Sequence, residues 1–212
     1  MAVSPATVPE LAFAVEGAEP LARAAVPTLR FALRVESDVP VRSVLLDVQV
    51  QIAARRRPYD AAAHERLFEL FGPTENWGKS LRTLLWTRTT LVVPPFADAA
   101  LVDLDIPCSY DLEVLASRYF DALGDGDVPL EFLFSGTVFA GAPLQVTRIS
   151  WEKEAEYRLP VGVWKETLDR HFRGTAWLRL GKPAFDRLSA YKSRRALASW
   201  DEAIDGLLEE RG

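Results

Sequence analysis

The stretch that decides the fold spans residues 108–172 and reads CSYDLEVLASRYFDALGDGDVPLEFLFSGTVFAGAPLQVTRISWEKEAEYRLPVGVWKETLDRHF. Its centre, residues 128–139, carries apolar side chains on both parities, which is typical of a strand covered on both faces. We therefore predict a central strand there. Residues 110–116 alternate between apolar and polar side chains and predict a half-buried strand, and residues 124–127 (Gly-Asp-Gly-Asp) predict a turn between the two.

The next run, residues 144–159, changes parity along its length. Its apolar residues begin on one side of a period-2 pattern and continue on the other side from Ile149 onwards. Because one added residue moves every following side chain across a sheet, this change predicts a bulge or a break near Arg148. After Pro160, apolar residues recur every three or four positions, which predicts a helix over residues 161–172.

Working outward to the N-terminal side, alternating patterns predict further strands. They cover residues 11–15, ending at Glu16-Gly17, and then 29–35, 44–52 and 102–106. Before the last of these, Leu81, Leu84 and Leu85 suit a helical turn, whereas the β-branched run after them favours a strand over about residues 85–93. Between the third and fourth of these strands, Asp60 is suited to cap a helix that ends before Gly72. The prediction is thus a series of antiparallel strands with one inserted helix near residues 60–71.

On the C-terminal side the pattern becomes mainly helical. Residues 177–180 predict a short strand, and Pro183 suits the first turn of a helix. Ser199 and Glu202 have the spacing of a capping box at the start of a last helix.

Together these elements predict a mainly β (α+β) fold, an immunoglobulin-like antiparallel β-sandwich with one inserted helix and a helical C-terminal element. We assign residues 1–159 to the sandwich domain and residues 160–212 to the mainly helical element.

Composition limits the classes of function. The chain has 212 residues, of which 49% are hydrophobic, enough to fill a sizeable core. A net charge of -5 and a pI near 5.2 argue against general binding of nucleic-acid phosphates. The single cysteine cannot form an internal disulfide, the N-terminus lacks a secretory pattern, and no window approaches the roughly 20 apolar residues that cross a bilayer. We expect a cytoplasmic protein that binds neither membrane nor nucleic acid.

Several short motifs suggest chemistry but lack its other requirements. Gly78-Lys79-Ser80 resembles the end of a phosphate-binding loop, but Pro73 stands where that loop needs its first glycine. Neither His64 nor His171 has a further Cys or His at metal-ligand spacing. Cys108 has no recognisable base beside it, so we interpret it as a packed thiol.

Acidic residues leave one enzymatic alternative open. Asp103 and Asp105 share one strand face, and Glu152, Glu154 and Glu156 share another. Such rows could supply paired acids or a hard-cation site, and a solvated sheet face also explains them.

Aromatic and basic residues suggest an interaction surface. Trp151, Trp164 and Trp200 fall on apolar faces and are expected in the core. The candidate surface is formed by two tryptophans that could be exposed and by an arginine triplet that could dock an acidic partner: Trp77, Trp86, Arg55, Arg56 and Arg57.

Five segments carry a resemblance over nearly the whole chain: PTLRF (27–31), RPYD (57–60), CSYDLEV (108–114), FSGTVF (134–139) and RLPV (158–161). They resemble an uncharacterised bacterial domain-of-unknown-function family that is common in actinobacteria. The resemblance implies a genomic setting, since genes of that family neighbour those of uptake nickel-iron hydrogenases. None of the five segments is a catalytic signature, so no site residue follows from it.

Our leading hypothesis is a non-enzymatic cytoplasmic interaction or accessory protein. Its expected partner is a protein, with a hydrogenase subunit or maturation factor as the candidate that the resemblance implies. No catalytic, cofactor-binding or metal-ligating residue is predicted, and oligomeric state is left open. One alternative is a hydrolase-like enzyme that uses acidic residues with or without a metal. Another is a sandwich that binds a carbohydrate or small ligand, which requires exposed, coplanar Trp77 and Trp86.

Overall fold

The computed structural model describes residues 9–108, 115–172, 175 and 179–210, and its strands form two antiparallel sheets. The three-stranded sheet has the order β1-β2-β5, formed by β1 (Leu11–Pro20), β2 (Thr28–Ser37) and β5 (Ala99–Pro107). The five-stranded sheet has the order β4-β3-β6-β7, with β8 also paired to β6. Its strands are β3 (Val41–Ile52), β4 (Leu84–Val93), β6 (Asp127–Ala140), β7 (Gln145–Arg148) and β8 (Glu154–Pro160).

The prediction of a central strand at residues 128–139 is confirmed. Strand β6 pairs with β3 along one edge and with both β7 and β8 along the other. The predicted break near Arg148 is also confirmed, because β7 ends at that residue and β8 begins at Glu154.

Strand β1 is longer than its sequence pattern predicts. We expect it to stop at Glu16-Gly17, but its pairing with β2 shifts register between Val15 and Gly17 and continues to Pro20. A bulge absorbs the extra residue and keeps both halves of the strand paired.

The predicted inserted helix is present. Helix α1 (Ala61–Phe71) begins where Asp60 Oδ1 accepts a hydrogen bond from the Ala63 backbone N–H at 2.6 Å. It is followed by a short helix, α2 (Trp77–Ser80), and later by α3 (Leu115–Asp121) and α4 (Val161–Phe172). The prediction over residues 161–172 is thus confirmed.

The predicted strand at residues 110–116 is wrong where the structure describes it. Leu115 and Ala116 belong to helix α3, and residues 110–114 lie outside the described residues. Ala116, Tyr119 and Phe120 are buried and recur at helical spacing, so burial follows the period of a helix there.

The core lies between the two sheets. Phe13 of β1 stacks on Phe134 of β6 with ring centroids 4.1 Å apart, and Phe31 of β2 meets Phe132 of β6 edge-on at 5.3 Å. These contacts confirm the predicted mainly β sandwich. Trp164 of α4 is buried as expected, whereas the expected burial of Trp151 is wrong. That side chain is 90% exposed because it lies in the turn before β8 rather than on a strand.

By its internal contacts the chain divides into two units, Met1–Ala176 and Trp177–Gly212, with α4 in the first. The assignment of residues 1–159 and 160–212 to separate domains stays a prediction. The second unit contains α5 (Lys182–Arg194) and α6 (Trp200–Glu209). Ser199 Oγ accepts a hydrogen bond from the Glu202 backbone N–H at 3.0 Å, which confirms the predicted cap.

Two other predictions for the second unit are not confirmed. Residues 177 and 178 of the predicted short strand lie outside the described residues, and residues 179 and 180 form no regular element. Trp200 is exposed rather than buried in a core.

No helix in the described ranges is long and apolar enough to cross a membrane.

Candidate protein-interaction surface

The outer face of the three-stranded sheet carries several ion pairs. Arg30 of β2 binds two carboxylates of β5, with Nη1 2.7 Å from Asp103 Oδ2 and Nε 2.7 Å from Asp105 Oδ1. A second contact joins its Nη2 to Asp105 Oδ2 at 2.8 Å, so that pair is bidentate. The hydrogen bond to Asp105 raises the pKa of Arg30. These carboxylates, the candidates for paired acids, therefore neutralise an arginine.

Glutamates of the five-stranded sheet also pair with an arginine. Glu156 of β8 and Glu131 of β6 both pair with Arg56, Glu131 Oε1 lying 2.9 Å from Nη2. Glu154 is exposed on β8, and Glu152 is exposed in the turn before it. Among the described residues no group of three His, Cys, Asp or Glu side chains could hold a metal ion.

The outer face of the five-stranded sheet has a different character, because part of it is apolar. Leu45, Val92 and Val146 are 44%, 65% and 60% exposed. Leu45 lies opposite Val92 in the register of β3 and β4, and half-buried Phe139 of β6 lies opposite Val146 of β7. Leu45 faces Thr137 of β6, and Phe139 lies two residues further along β6, so both apolar pairs lie on the same sheet face. We call these four residues the apolar patch.

A polar groove of about 410 Å³ continues this face along the same strands. It is lined by Asp47, Val48, Gln49, Arg88, Thr89, Thr90 and Ser135. Thr90 Oγ1 donates a hydrogen bond to Asp47 Oδ1 at 2.5 Å. No carboxylate in the described ranges pairs with Arg88, which lies opposite Gln49. We call the apolar patch and this groove together the open face.

The predicted arginine triplet is engaged within the chain. Arg55 donates through Nε to the Leu81 carbonyl oxygen and through Nη2 to that of Gly78 at 2.9 Å. Arg56 forms the carboxylate pairs described above. Arg57 Nη2 donates to the Asp125 carbonyl oxygen at 3.2 Å. These contacts join the segment after β3 to neighbouring loops. They leave fewer guanidinium N–H donors of the triplet free to bind an outside partner.

The guanidinium of Arg57 also lies 5.3 Å from the centroid of the Tyr59 ring. Its Nη1 is the one buried side-chain nitrogen or oxygen in the described ranges without a hydrogen-bond partner. The residue as a whole is half-buried. Arg57 is therefore held against an aromatic ring rather than extended into solvent.

The structure does not bring the two predicted tryptophans together. Trp77 is half-buried, and its ring meets His64 edge-on with centroids 4.7 Å apart. Trp86 is also half-buried and meets the stacked rings of Phe120 and Trp164 edge-on, at centroid distances of 5.2 Å and 5.9 Å. In the described ranges they share no ring contact, so they do not form a flat platform.

Burial favours the protonated form of three titratable side chains, Tyr59, Tyr119 and Cys108. The hydroxyls of Tyr59 and Tyr119 lie 2.7 Å apart, and burial raises the pKa of both. Burial likewise raises the pKa of the Cys108 thiol to about 12. A thiolate nucleophile is disfavoured in that environment, as expected for a packed cysteine.

Sequence reasoning missed the open face. One signal is present in Leu45, an apolar residue on the otherwise polar parity of residues 45–51. The other members lie on separate strands, and only the strand order places Val92 and Val146 on the same face as Leu45.

The fold and this surface define an immunoglobulin-like antiparallel β-sandwich that carries ion pairs on one outer face and an apolar patch on the other. Within that class, the chain belongs to a family of unknown function (DUF6084), whose model matches residues 8–212. The match confirms the resemblance to an uncharacterised domain family.

Comparison with solved structures gives distant similarities. One is the CARDB domain of a Pyrococcus furiosus protein in complex with di-metal ions, with 8% identity, 71% of this chain and 91% of that chain covered, and a TM-score of 0.28. A putative late embryogenesis abundant protein has 12% identity, 72% coverage of both chains and a TM-score of 0.34. A β-glucosidase from Kluyveromyces marxianus has 11% identity, 71% and 15% coverage, and a TM-score of 0.26. No curated protein matches the sequence.

Proposed function

We propose that the chain is a non-enzymatic accessory protein that binds a protein partner through the open face. The observation that carries this proposal is the exposure of Leu45, Val92 and Val146 on one sheet face. Isolated exposed apolar residues are common, but several on one sheet face beside a polar groove are typical of a protein-interaction site.

The chemistry of the face suggests the chemistry of the partner. Arg88 lies in the groove beside the apolar patch, and no described carboxylate neutralises it. A partner segment with apolar side chains next to an acidic residue would cover the patch and pair with this guanidinium. The outer face of the three-stranded sheet offers a partner fewer unpaired charges, because Arg30 and Arg34 are already paired with carboxylates.

The biological setting is a further part of the proposal. We place the protein in the cytoplasm of an actinobacterium, where it serves the maturation or assembly of a nickel-iron hydrogenase. The support for this setting is the resemblance to a family whose genes neighbour uptake hydrogenase genes. The partner would then be a hydrogenase subunit or a maturation factor.

The experiment measures binding of the purified chain to individual purified subunits and maturation factors of an actinobacterial uptake hydrogenase. Wild-type protein is compared with Val92→Glu and with Leu101→Glu. Leu101 is a matched control because it is 61% exposed on the three-stranded sheet, whereas Val92 is 65% exposed on the open face. Circular dichroism and thermal unfolding verify that each variant is folded.

We expect one component to bind the wild-type chain and the Leu101→Glu variant equally. Val92→Glu should weaken that binding by about a hundredfold, because a desolvated carboxylate costs several kcal/mol in an apolar contact. Equal losses in both variants would contradict the assignment of the open face. Absence of binding to every component would contradict the hydrogenase setting.

A further inference from the structure

Helix α6 of the second unit carries an apolar stripe on one side. Trp200, Ile204, Leu207 and Leu208 are all exposed, Leu208 to 67%. Their spacings of four, three and one place them within about 100° of each other around the helix axis, and a stripe of that width is one that a surface helix buries. We call these four residues the α6 stripe.

The position of α5 fixes which side of α6 is left open. Ala203 is fully buried, and a Cβ atom at Gly206 would lie 3.0 Å from the Tyr191 hydroxyl of α5. Glu210 after α6 pairs with Arg195 after α5 and accepts a hydrogen bond from the Tyr191 hydroxyl at 3.4 Å. The contact with α5 therefore uses the side of Ala203 and Gly206 and reaches the stripe at Trp200, whose ring lies 5.5 Å from that of Phe185 and 5.6 Å from Lys192 Nζ.

Acidic residues border the stripe on its other side. Residues 200–210 contain five carboxylates and no Lys or Arg: Asp201, Glu202, Asp205, Glu209 and Glu210. Glu202 accepts a hydrogen bond from the Ala198 backbone N–H at 2.8 Å, and Glu210 is paired with Arg195. In the described ranges the other three carboxylates form no ion pair. They are available to an outside cation.

We propose that α6 is a docking helix that inserts the α6 stripe into an apolar groove of a partner protein whose rim carries Lys or Arg. Recognition of an amphipathic helix by a groove uses anchors at this spacing. The charge selects the partner, because the acidic flank repels anionic lipid surfaces and nucleic-acid phosphates and attracts a basic rim. The inference stands apart from the open face, since a different unit and different residues carry it.

The test uses the full chain and two defined probes. Both are synthetic 28-residue heptad peptides with Leu at positions a and d, and they differ in carrying Lys or Glu at positions e and g. Fluorescence anisotropy of each labelled peptide measures its affinity for wild-type protein, for Leu208→Ser and for Leu101→Ser. Leu101 is the matched control, being a leucine that is 61% exposed on the three-stranded sheet.

We expect the Lys peptide to bind the wild-type chain and the Glu peptide to bind at least about tenfold more weakly. Leu208→Ser should weaken binding of the Lys peptide by about tenfold or more, because a leucine anchor is lost. Leu101→Ser should leave it unchanged, because Leu101 belongs neither to the α6 stripe nor to the open face. A double variant, Asp201→Asn with Asp205→Asn, should bind the Lys peptide more weakly and with less dependence on salt.

Other outcomes would overturn the proposal. These are failure of the Lys peptide to bind, equal binding of both peptides, or unchanged binding by a Leu208→Ser variant with wild-type helical content. Co-sedimentation of the chain with vesicles of three parts phosphatidylcholine to one part phosphatidylglycerol would assign the stripe to a membrane instead. A concentration-dependent dimer that Leu208→Ser dissolves would assign it to a second copy.

Discussion

The hydroxyl oxygens of Tyr59 and Tyr119 lie 2.7 Å apart, and the direction of the hydrogen bond between them follows from a third atom. Tyr59 Oη also lies 2.6 Å from the Ala54 carbonyl oxygen, which can only accept. A hydroxyl has one hydrogen, so Tyr59 donates to Ala54 and Tyr119 donates to Tyr59. This chain of two bonds joins helix α3 to the segment after β3.

The direction of these bonds predicts unequal effects of two isosteric substitutions. Tyr59→Phe leaves both the Tyr119 O–H and the Ala54 carbonyl without a partner, and should lower the free energy of unfolding by about 2–3 kcal/mol. Tyr119→Phe leaves the bond from Tyr59 to Ala54 intact, and should cost about 1 kcal/mol. Urea unfolding of both variants measures the order. A larger loss in Tyr119→Phe would contradict this direction.

Burial of Cys108 predicts a loss of stability in alkaline solution. The folded thiol has a pKa of about 12, raised by burial from an ordinary value of 9.0. Between these values the unfolded chain releases this proton while the folded chain keeps it, so the unfolded state binds fewer protons. The free energy of unfolding should therefore fall as pH rises from 9, by roughly 1 kcal/mol per pH unit for this group.

The variant Cys108→Ala isolates this contribution. Its free energy of unfolding should fall less steeply than that of the wild type between pH 8 and pH 10, the window flanking the ordinary thiol pKa. Above the ordinary tyrosine pKa near 10, both proteins should lose stability, because burial raises the pKa of Tyr59 and Tyr119. Parallel curves for the two proteins below pH 10 would show that the thiol titrates equally in both states.

Strands with one wet face could be predicted from sequence because their burial repeats every second residue. In β3, Val44, Leu46 and Val48 are buried while Asp47 is exposed. The sequence alternates between apolar and polar residues with the same period, so the strand can be read from it directly. Helix α3 could not be predicted from the alternation before it, because Tyr119 and Phe120 are buried by α1, α4 and β4. Tertiary packing decided the local structure there.

The candidate surface was less predictable for a related reason. Exposure of Leu45, Val92 and Val146 depends on which strands pair and on what covers the sheet, neither of which a single strand records. Conversely, Arg55 and Arg56 have a sequence pattern typical of a free basic cluster. Their side chains instead find carbonyl and carboxylate partners from segments more than 20 residues away.

The cap of helix α1 gives a prediction with a chemical control. Asp60→Ala removes the acceptor for the Ala63 N–H and should lower the free energy of unfolding by about 1 kcal/mol. Asp60→Asn keeps an oxygen at the same position and should lose less than half of that amount. Thermal unfolding of the two variants measures the difference, and equal losses would show that the carboxylate charge rather than the cap is needed.

Gly136 of β6 gives the sharpest prediction, because its backbone conformation and its surroundings both exclude a side chain. Its φ is +138°, and a Cβ atom there would lie 2.1 Å from the Leu45 carbonyl oxygen of the neighbouring strand. Gly136→Ala should therefore lower the free energy of unfolding by about 3–5 kcal/mol, combining backbone strain with displacement of β3 beneath the open face. Gly162→Ala in α4 is the matched control, because its Cβ atom would meet nothing within 4 Å, and it should be neutral or slightly stabilising. Urea unfolding compares the two variants, and a loss below about 1 kcal/mol for Gly136→Ala would contradict the close approach of β3 and β6 at this point.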